Sequence, residues 1–250
     1  MPERVLFVPA WFNSPQSCYR YPGLRALLTA LESTFDLDIY HWPTVKGGPD
    51  APPTWQGNAD ALRSALQPGI HVVDSGTGTA LLMLALTRQT EVRSFTAPGL
   101  VTPPATLRSL AMDSLADAAE FVFSMLSSQQ YVRLLMQGAT EAQWADAASV
   151  MDDDVNWPYA RELTKSMPEL SLVNERVHVD VPALYLDTPL TVAGFAEMRD
   201  VFLRFVPGAE TGELKLWPVR MQDQDAGYEL AAKVTEFIGR VAARNAAASA

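Results

Sequence analysis

Short apolar runs alternate with amphipathic stretches along the first hundred residues. Val5-Leu6-Phe7-Val8, bounded by Pro9, has the continuous apolar character of a strand buried on both faces. Leu24, Leu27, Leu28 and Leu31 recur at helical spacing and predict a helix over 23–31. A second strand is predicted over 37–40. Residues 47–57, punctuated by Pro49, Pro52 and Pro53, read as loop. Asn58 is expected to cap a helix through Leu66, ended by Pro68-Gly69. Ile70 to Val73 predicts a third strand, a helix is expected from Thr77, and a strand over 92–96 is stopped by Pro98-Gly99. Strands alternating with helices of this length imply βαβ units and a mainly parallel sheet.

The pattern then changes. From about residue 104 to 172 the chain predicts helices without a strand, over 107–119, 120–136 and 141–150. They carry Phe121, Phe123, Met125, Tyr131, Met136 and Trp144, and Trp157 follows. Val181 to Leu186 restores the strand pattern. A helix over 194–205, a turn at Pro207-Gly208, a strand over 213–217 and a helix over 227–241 complete it, with a fraying tail at 246–250. The expected division is a first part of an α/β core (1–103), a helical cap (104–175) and the second part of the core (176–250).

Composition narrows the function classes. Hydrophobic residues make up 48% and charged residues 19%, as in ordinary globular chains. A formal net charge of -10 disfavours nucleic acid and anionic membrane surfaces as partners. No run of about 20 apolar residues is present to span a bilayer. The N-terminal residues run straight into a strand without the charged and apolar regions of a leader, so a cytoplasmic protein is expected. Cys18 is the sole cysteine, and His41, His71 and His178 are scattered. No metal site and no cofactor is expected.

The run Ile70-His71-Val72-Val73-Asp74-Ser75-Gly76-Thr77-Gly78-Thr79-Ala80-Leu81-Leu82 reads as a strand, a tight turn and a helix. Together with the order of residues 5–12, 39–43 and 181–237, it makes the chain resemble the α/β-hydrolase superfamily, with a helical cap inserted after the sixth strand of the usual plan. The resemblance implies a mainly parallel sheet flanked by helices, with a pocket at the carboxyl ends of its strands beneath the cap. It also implies a nucleophile elbow, G-x-S-x-G, in which small residues flank the serine because strand and helix approach closely. With the tip at Gly76, Asp74 and Gly78 become the flanks and no nucleophile remains. With the tip at Ser75 a hydroxyl remains, but β-branched Val73 and Thr77 fall at the crowded positions.

Other positions depart from the family pattern as well. The loop after the last strand, where the resemblance places a histidine, contains Arg220, Met221 or Gln222 at the matching point. None of these takes a proton from serine at neutral pH. The acid position falls near Thr191, with Asp187 closer to the strand end. The turn after the first strand is Pro9-Ala10-Trp11-Phe12, and proline supplies no N–H. His71 and His178 sit at strand beginnings, away from the expected pocket, whereas His41 lies at a carboxyl end.

The candidate catalytic residues are therefore Asp74 as base, with Ser75 and Arg220 as hydrogen-bond donors. Candidate substrate-binding residues are Trp11, Phe12, His41, Gly76, Thr77, Pro98, Asp187, Met221 and Gln222. The expected function is a cofactor-independent, non-hydrolytic cyclase, isomerase or lyase acting on a hydrophobic, biosynthetic small molecule. A serine hydrolase or thioesterase using Ser75 with an atypical base, and a non-catalytic small-molecule-binding protein, remain alternatives. The expected partner is that small molecule, with self-association into a homodimer allowed.

Overall fold

The apolar runs become the interior strands of one sheet. The computed structural model describes residues 2–75, 78–87, 91–99, 140–166, 175–188, 198–215 and 223–248. Its strands are β1 (Arg4–Val8), β2 (Asp36–Ile39), β3 (His71–Asp74), β4 (Ser94–Pro98), β5 (Ala183–Asp187) and β6 (Glu210–Glu213). They lie in the order β2-β1-β3-β4-β5-β6, and every pairing among them is parallel. β1, β3 and β4 are buried nearly throughout, which suits strands covered on both faces. The edge strands β2 and β6 instead alternate, with Asp36, Asp38 and Glu213 among their outward residues. Charges of this kind on an edge discourage pairing with another chain.

Two helical layers enclose the sheet. α2 (Pro22–Glu32) and α8 (Gln224–Ala248) cover one face, where Val5, Phe7 and Val73 meet Leu27, Leu28, Val234 and Phe237. α3 (Trp55–Ala65), α4 (Thr79–Leu86) and α7 (Met198–Phe205) cover the other, where Leu6, Val8 and Val72 meet Leu62, Leu81 and Phe202. Alternate residues along β1 thus feed opposite cores. The short α1 (Pro15–Cys18) follows the turn after β1.

β1 leads into α2 on one face, while β3 leads into α4 on the other. This reversal places a topological switch point at the carboxyl ends of β1 and β3, where open α/β sheets form their ligand crevice. Two further helices approach that edge, α5 (Glu141–Asp154) and α6 (Trp157–Lys165). They are tied to the turn after β2 by an antiparallel bridge between Val45 and Val155. Lys46 N donates to Asp154 O at 2.7 Å and Asn156 N to Thr44 O at 2.9 Å. The expected helices over 107–119 and 120–136 lie outside the described residues.

Several sequence expectations are corrected. Thr54, not Asn58, caps α3: its hydroxyl accepts from Gly57 N at 3.0 Å, and the helix begins at Trp55. α4 begins at Thr79 with Gly78 as its cap, two residues later than expected. β4 takes in Pro98, which occupies the strand's final position beside Leu186. The last strand among the described residues is Glu210–Glu213, beginning three residues before the expected start at 213, and its Gly212 lies against Leu186 of β5 where a larger residue would crowd it; residues 216 and 217 of the expected strand lie outside the described residues. The alanine-rich tail does not fray at 246, since α8 continues to Ala248. Alanine has the highest intrinsic helix propensity, and the preceding helix supplies the nucleus.

Candidate functional site

The site grows from the ends of β1 and β3. Past Val8, the chain turns through Pro9 and Ala10, with Asn13 N donating to Ala10 O at 2.9 Å. This turn is held from the side by the segment after β2. Trp42 is fully buried, and its indole N–H donates to Pro9 O at 2.6 Å. The Thr44 hydroxyl donates to Trp11 O. Trp11 is itself buried and meets Trp55 edge-on, with centroids 4.9 Å apart, whereas Phe12 stacks on Trp157 at 6.0 Å.

On the neighbouring strand, Ser75 N extends the ladder by donating to Val8 O at 3.0 Å. Asp74 is completely buried, and one of its carboxylate oxygens accepts from the Thr79 hydroxyl at the start of α4. Gly78 closes the turn against both strands. A Cβ there would stand 3.1 Å from Trp42 Cζ2, 3.2 Å from Asp74 Oδ1 and 3.6 Å from Val8 Cγ1. Strand and helix therefore pack at this glycine as closely as an elbow requires. Ser75 Oγ is buried and has no hydrogen-bond partner among the described residues.

The remaining candidates divide between this region and its surroundings. Pro98 and Asp187 end β4 and β5 at the same sheet edge. Asp187 pairs with Arg199 at 3.2 Å, both side chains partly exposed. His41 follows β2, its Nε2 is buried without a hydrogen-bond partner among the described residues, and its ring lies beside Gly47. Gly76, Thr77, Arg220, Met221 and Gln222 lie outside the described residues.

His71 is fully buried at the opposite end of β3, with Nδ1 2.7 Å from Ser94 Oγ and Nε2 3.6 Å from Glu3. Its pKa is lowered, chiefly by burial; Glu3 opposes that shift and Arg93 adds to it. His178 lies in the segment before β5, where its backbone N–H donates to the Thr87 hydroxyl at 3.2 Å. Burial pushes the Cys18 thiol up to about 12, so it remains a neutral packing residue.

Sequence reasoning missed Trp42, Thr44 and Thr79, which hold the two turns. Thr79 carried a local signal, a hydroxyl one residue past the close-packing glycine. Trp42 carried none, because its partner carbonyl is 33 positions away.

The architecture has many solved counterparts. A hydrolase from Oleispira antarctica is similar at TM-score 0.71 and 12% identity, covering 96% of this chain and 92% of that one. MenH from S. aureus is similar at TM-score 0.67 and 11% identity, with 96% and 94% covered. A bromoperoxidase from Bacillus anthracis is similar at TM-score 0.64 and 13% identity, with 96% and 92% covered. The chain has the α/β-hydrolase fold. No family model and no curated protein matches the sequence. The α/β-hydrolase fold is thus carried by a sequence far from these counterparts, and chemistry must be argued from the site's own residues. Among the described residues, no group of three or more His, Cys, Asp or Glu side chains is arranged to hold a metal ion. None of the described helices is long and apolar enough to cross a membrane.

Proposed function

We propose that this protein is a cofactor-independent, non-hydrolytic enzyme that holds a hydrophobic small molecule at the switch point of an α/β-hydrolase fold. The observation that carries this reading is the isolation of Ser75. Its Oγ is buried and has no partner among the described residues, which include all three of the chain's histidines, and none of these bonds it. A serine without a base is a poor nucleophile at neutral pH. Asp187, which could have oriented a histidine, is paired with Arg199 instead.

In this reading the reaction is a ring closure, rearrangement or elimination among the substrate's own groups. The pocket folds a reactive chain into a near-attack shape, which lowers a barrier by several kcal/mol without covalent participation. Ser75 Oγ and Arg220 donate hydrogen bonds to the oxygen on which charge develops. Asp74 is expected from sequence to be the base. Its full burial and its bond from Thr79 favour a positioning role, bracing the turn that presents Ser75. A biosynthetic intermediate is the substrate class that suits such a pocket.

Hydrolysis of p-nitrophenyl butyrate by the wild-type protein and by Ser75→Ala tests the reading. Equal, background-level rates are expected. A drop of about a hundredfold or more in the variant, the scale expected when a true nucleophile is removed, would replace this proposal with a serine hydrolase.

A further inference from the structure

The loop that follows β2 takes its course from a glycine. A Cβ on Gly48 would lie 2.0 Å from Trp42 O, so only glycine lets the chain fold back on this fully buried residue. Val45 N donates to Trp42 O at 3.0 Å and Gly48 N to Val45 O at 3.0 Å, closing two successive turns. The backbone of Thr44, Val45 and Lys46 thereby lies along the junction of α5 and α6.

That junction, residues 154–156, is bound from two directions. On one side it pairs with residues 44–46 through the Val45–Val155 bridge and the bonds from Lys46 N to Asp154 O and from Asn156 N to Thr44 O. On the other, the Asp154 carboxylate accepts from the Ser14 hydroxyl, directly beyond the turn that Asn13 N closes on Ala10 O. Thr44 joins the two sets, because its carbonyl accepts from Asn156 N while its hydroxyl donates to Trp11 O inside that turn. Thr44, Val45 and Val155 are at most 2% exposed, so water does not compete for these bonds. Apolar packing follows the same lines. Phe12 stacks on Trp157 at the start of α6, and Ala147, Ala148 and Met151 of α5 share a core with Phe12, Cys18 and Tyr21.

We infer that residues 10–14, 44–46 and 154–156 form one cooperative unit, in which Thr44 couples the position of α5 and α6 to the turn after β1. α5 and α6 do not open as an independent flap, since their junction shares Thr44 with that turn. Whatever displaces the junction also displaces Trp11, at the edge of the site. The coupling is a property of the fold around the site and holds whatever reaction the site performs.

Amide hydrogen exchange, resolved by NMR at low denaturant, tests the unit. The amides of Asn13, Lys46 and Asn156 each donate one of its bonds, and in the wild type they should share one opening equilibrium. Thr44→Val removes the bond to Trp11 O and keeps the shape of the side chain. It should speed exchange of all three amides about tenfold, the scale of one hydrogen bond, with a much smaller effect on the amides of β3. Lys46→Met acts from the exposed side, losing the bonds from its ammonium to the Asp152 and Asp153 carbonyls at the end of α5. It should speed Asn156 about two- to fivefold, the scale of a cation at a helix C-terminus, and Asn13 with it. Faster exchange at Asn156 with Asn13 unchanged, in either variant, means that α5 and α6 open alone and overturns the coupling. Equal acceleration of every core amide in Thr44→Val reduces Thr44 to a contribution to global stability and overturns it too. Where Thr44→Val does not fold, the response of Asn13 in Lys46→Met decides.

Discussion

At the scale of single residues, the turn after β3 is specified by what cannot be larger than glycine. Gly78 lies within about a van der Waals contact of Trp42, Asp74 and Val8, so a methyl group at this position must displace an indole that is itself fully buried. Gly78→Ala should cost about 1–3 kcal/mol, the usual range for overpacking, as read from urea denaturation. The need for a small residue here was legible in the sequence, since the elbow pattern demands one. The identity of what presses on it was not, because Trp42 reaches Pro9 and Gly78 only once three strands are assembled. His71 gives a second residue-level expectation. Its folded-state pKa lies below the ordinary 6.5, so the unfolded chain binds the extra proton as pH falls below about that value. Stability should therefore decline from pH 6.5 toward 5. His71→Asn, which can still bond Ser94, should flatten that decline in melts recorded across the range. An unchanged slope would remove His71 as its source.

At the scale of elements, α2 and α8 make a demanding contact. A Cβ on Gly227 would lie 2.1 Å from Gly23 O and 3.0 Å from Leu27 N, so the two helices touch backbone to backbone. Neither partner can rotate away as a side chain would. Gly227→Ala should destabilise the protein by more than Gly78→Ala does, and comparison of their denaturation midpoints checks the order. Strands and helices in the first hundred residues were legible because each buried face leaves a periodic apolar trace. β6 was misplaced by three residues because Glu210–Glu213 is a polar edge strand, defined by its pairing with β5 rather than by its own pattern. Asn58 was misread for a related reason: its type suits a cap, yet its side chain serves a tertiary bond to Tyr159, 101 residues away. α8 is also tied to β6 by Arg240 and Arg244, both bonded to Glu210, whose pKa they lower. That stabilisation is present above the ordinary carboxylate value of 4.5 and is lost as pH falls through the lowered one. It acts in a more acidic window than His71.

At the scale of the whole molecule, the fold was legible through the order of its elements, and the solved counterparts carry the same architecture at 11–13% identity. The site was legible in part. The chain's histidine count and the proline after β1 come from the sequence, whereas the isolation of Ser75 and the Asp187–Arg199 pair needed three dimensions. The proposed function makes one central claim about this molecule, that the α/β-hydrolase architecture is kept while the proton-relay chemistry of a serine hydrolase is not. A fluorophosphonate probe reads that chemistry directly, because it reacts with a serine only where a base has activated it. Incubation of the native protein with such a probe, followed by mass spectrometry of the intact chain and its peptides, should give no adduct at Ser75. Stoichiometric labelling at Ser75, abolished in Ser75→Ala, would contradict the account.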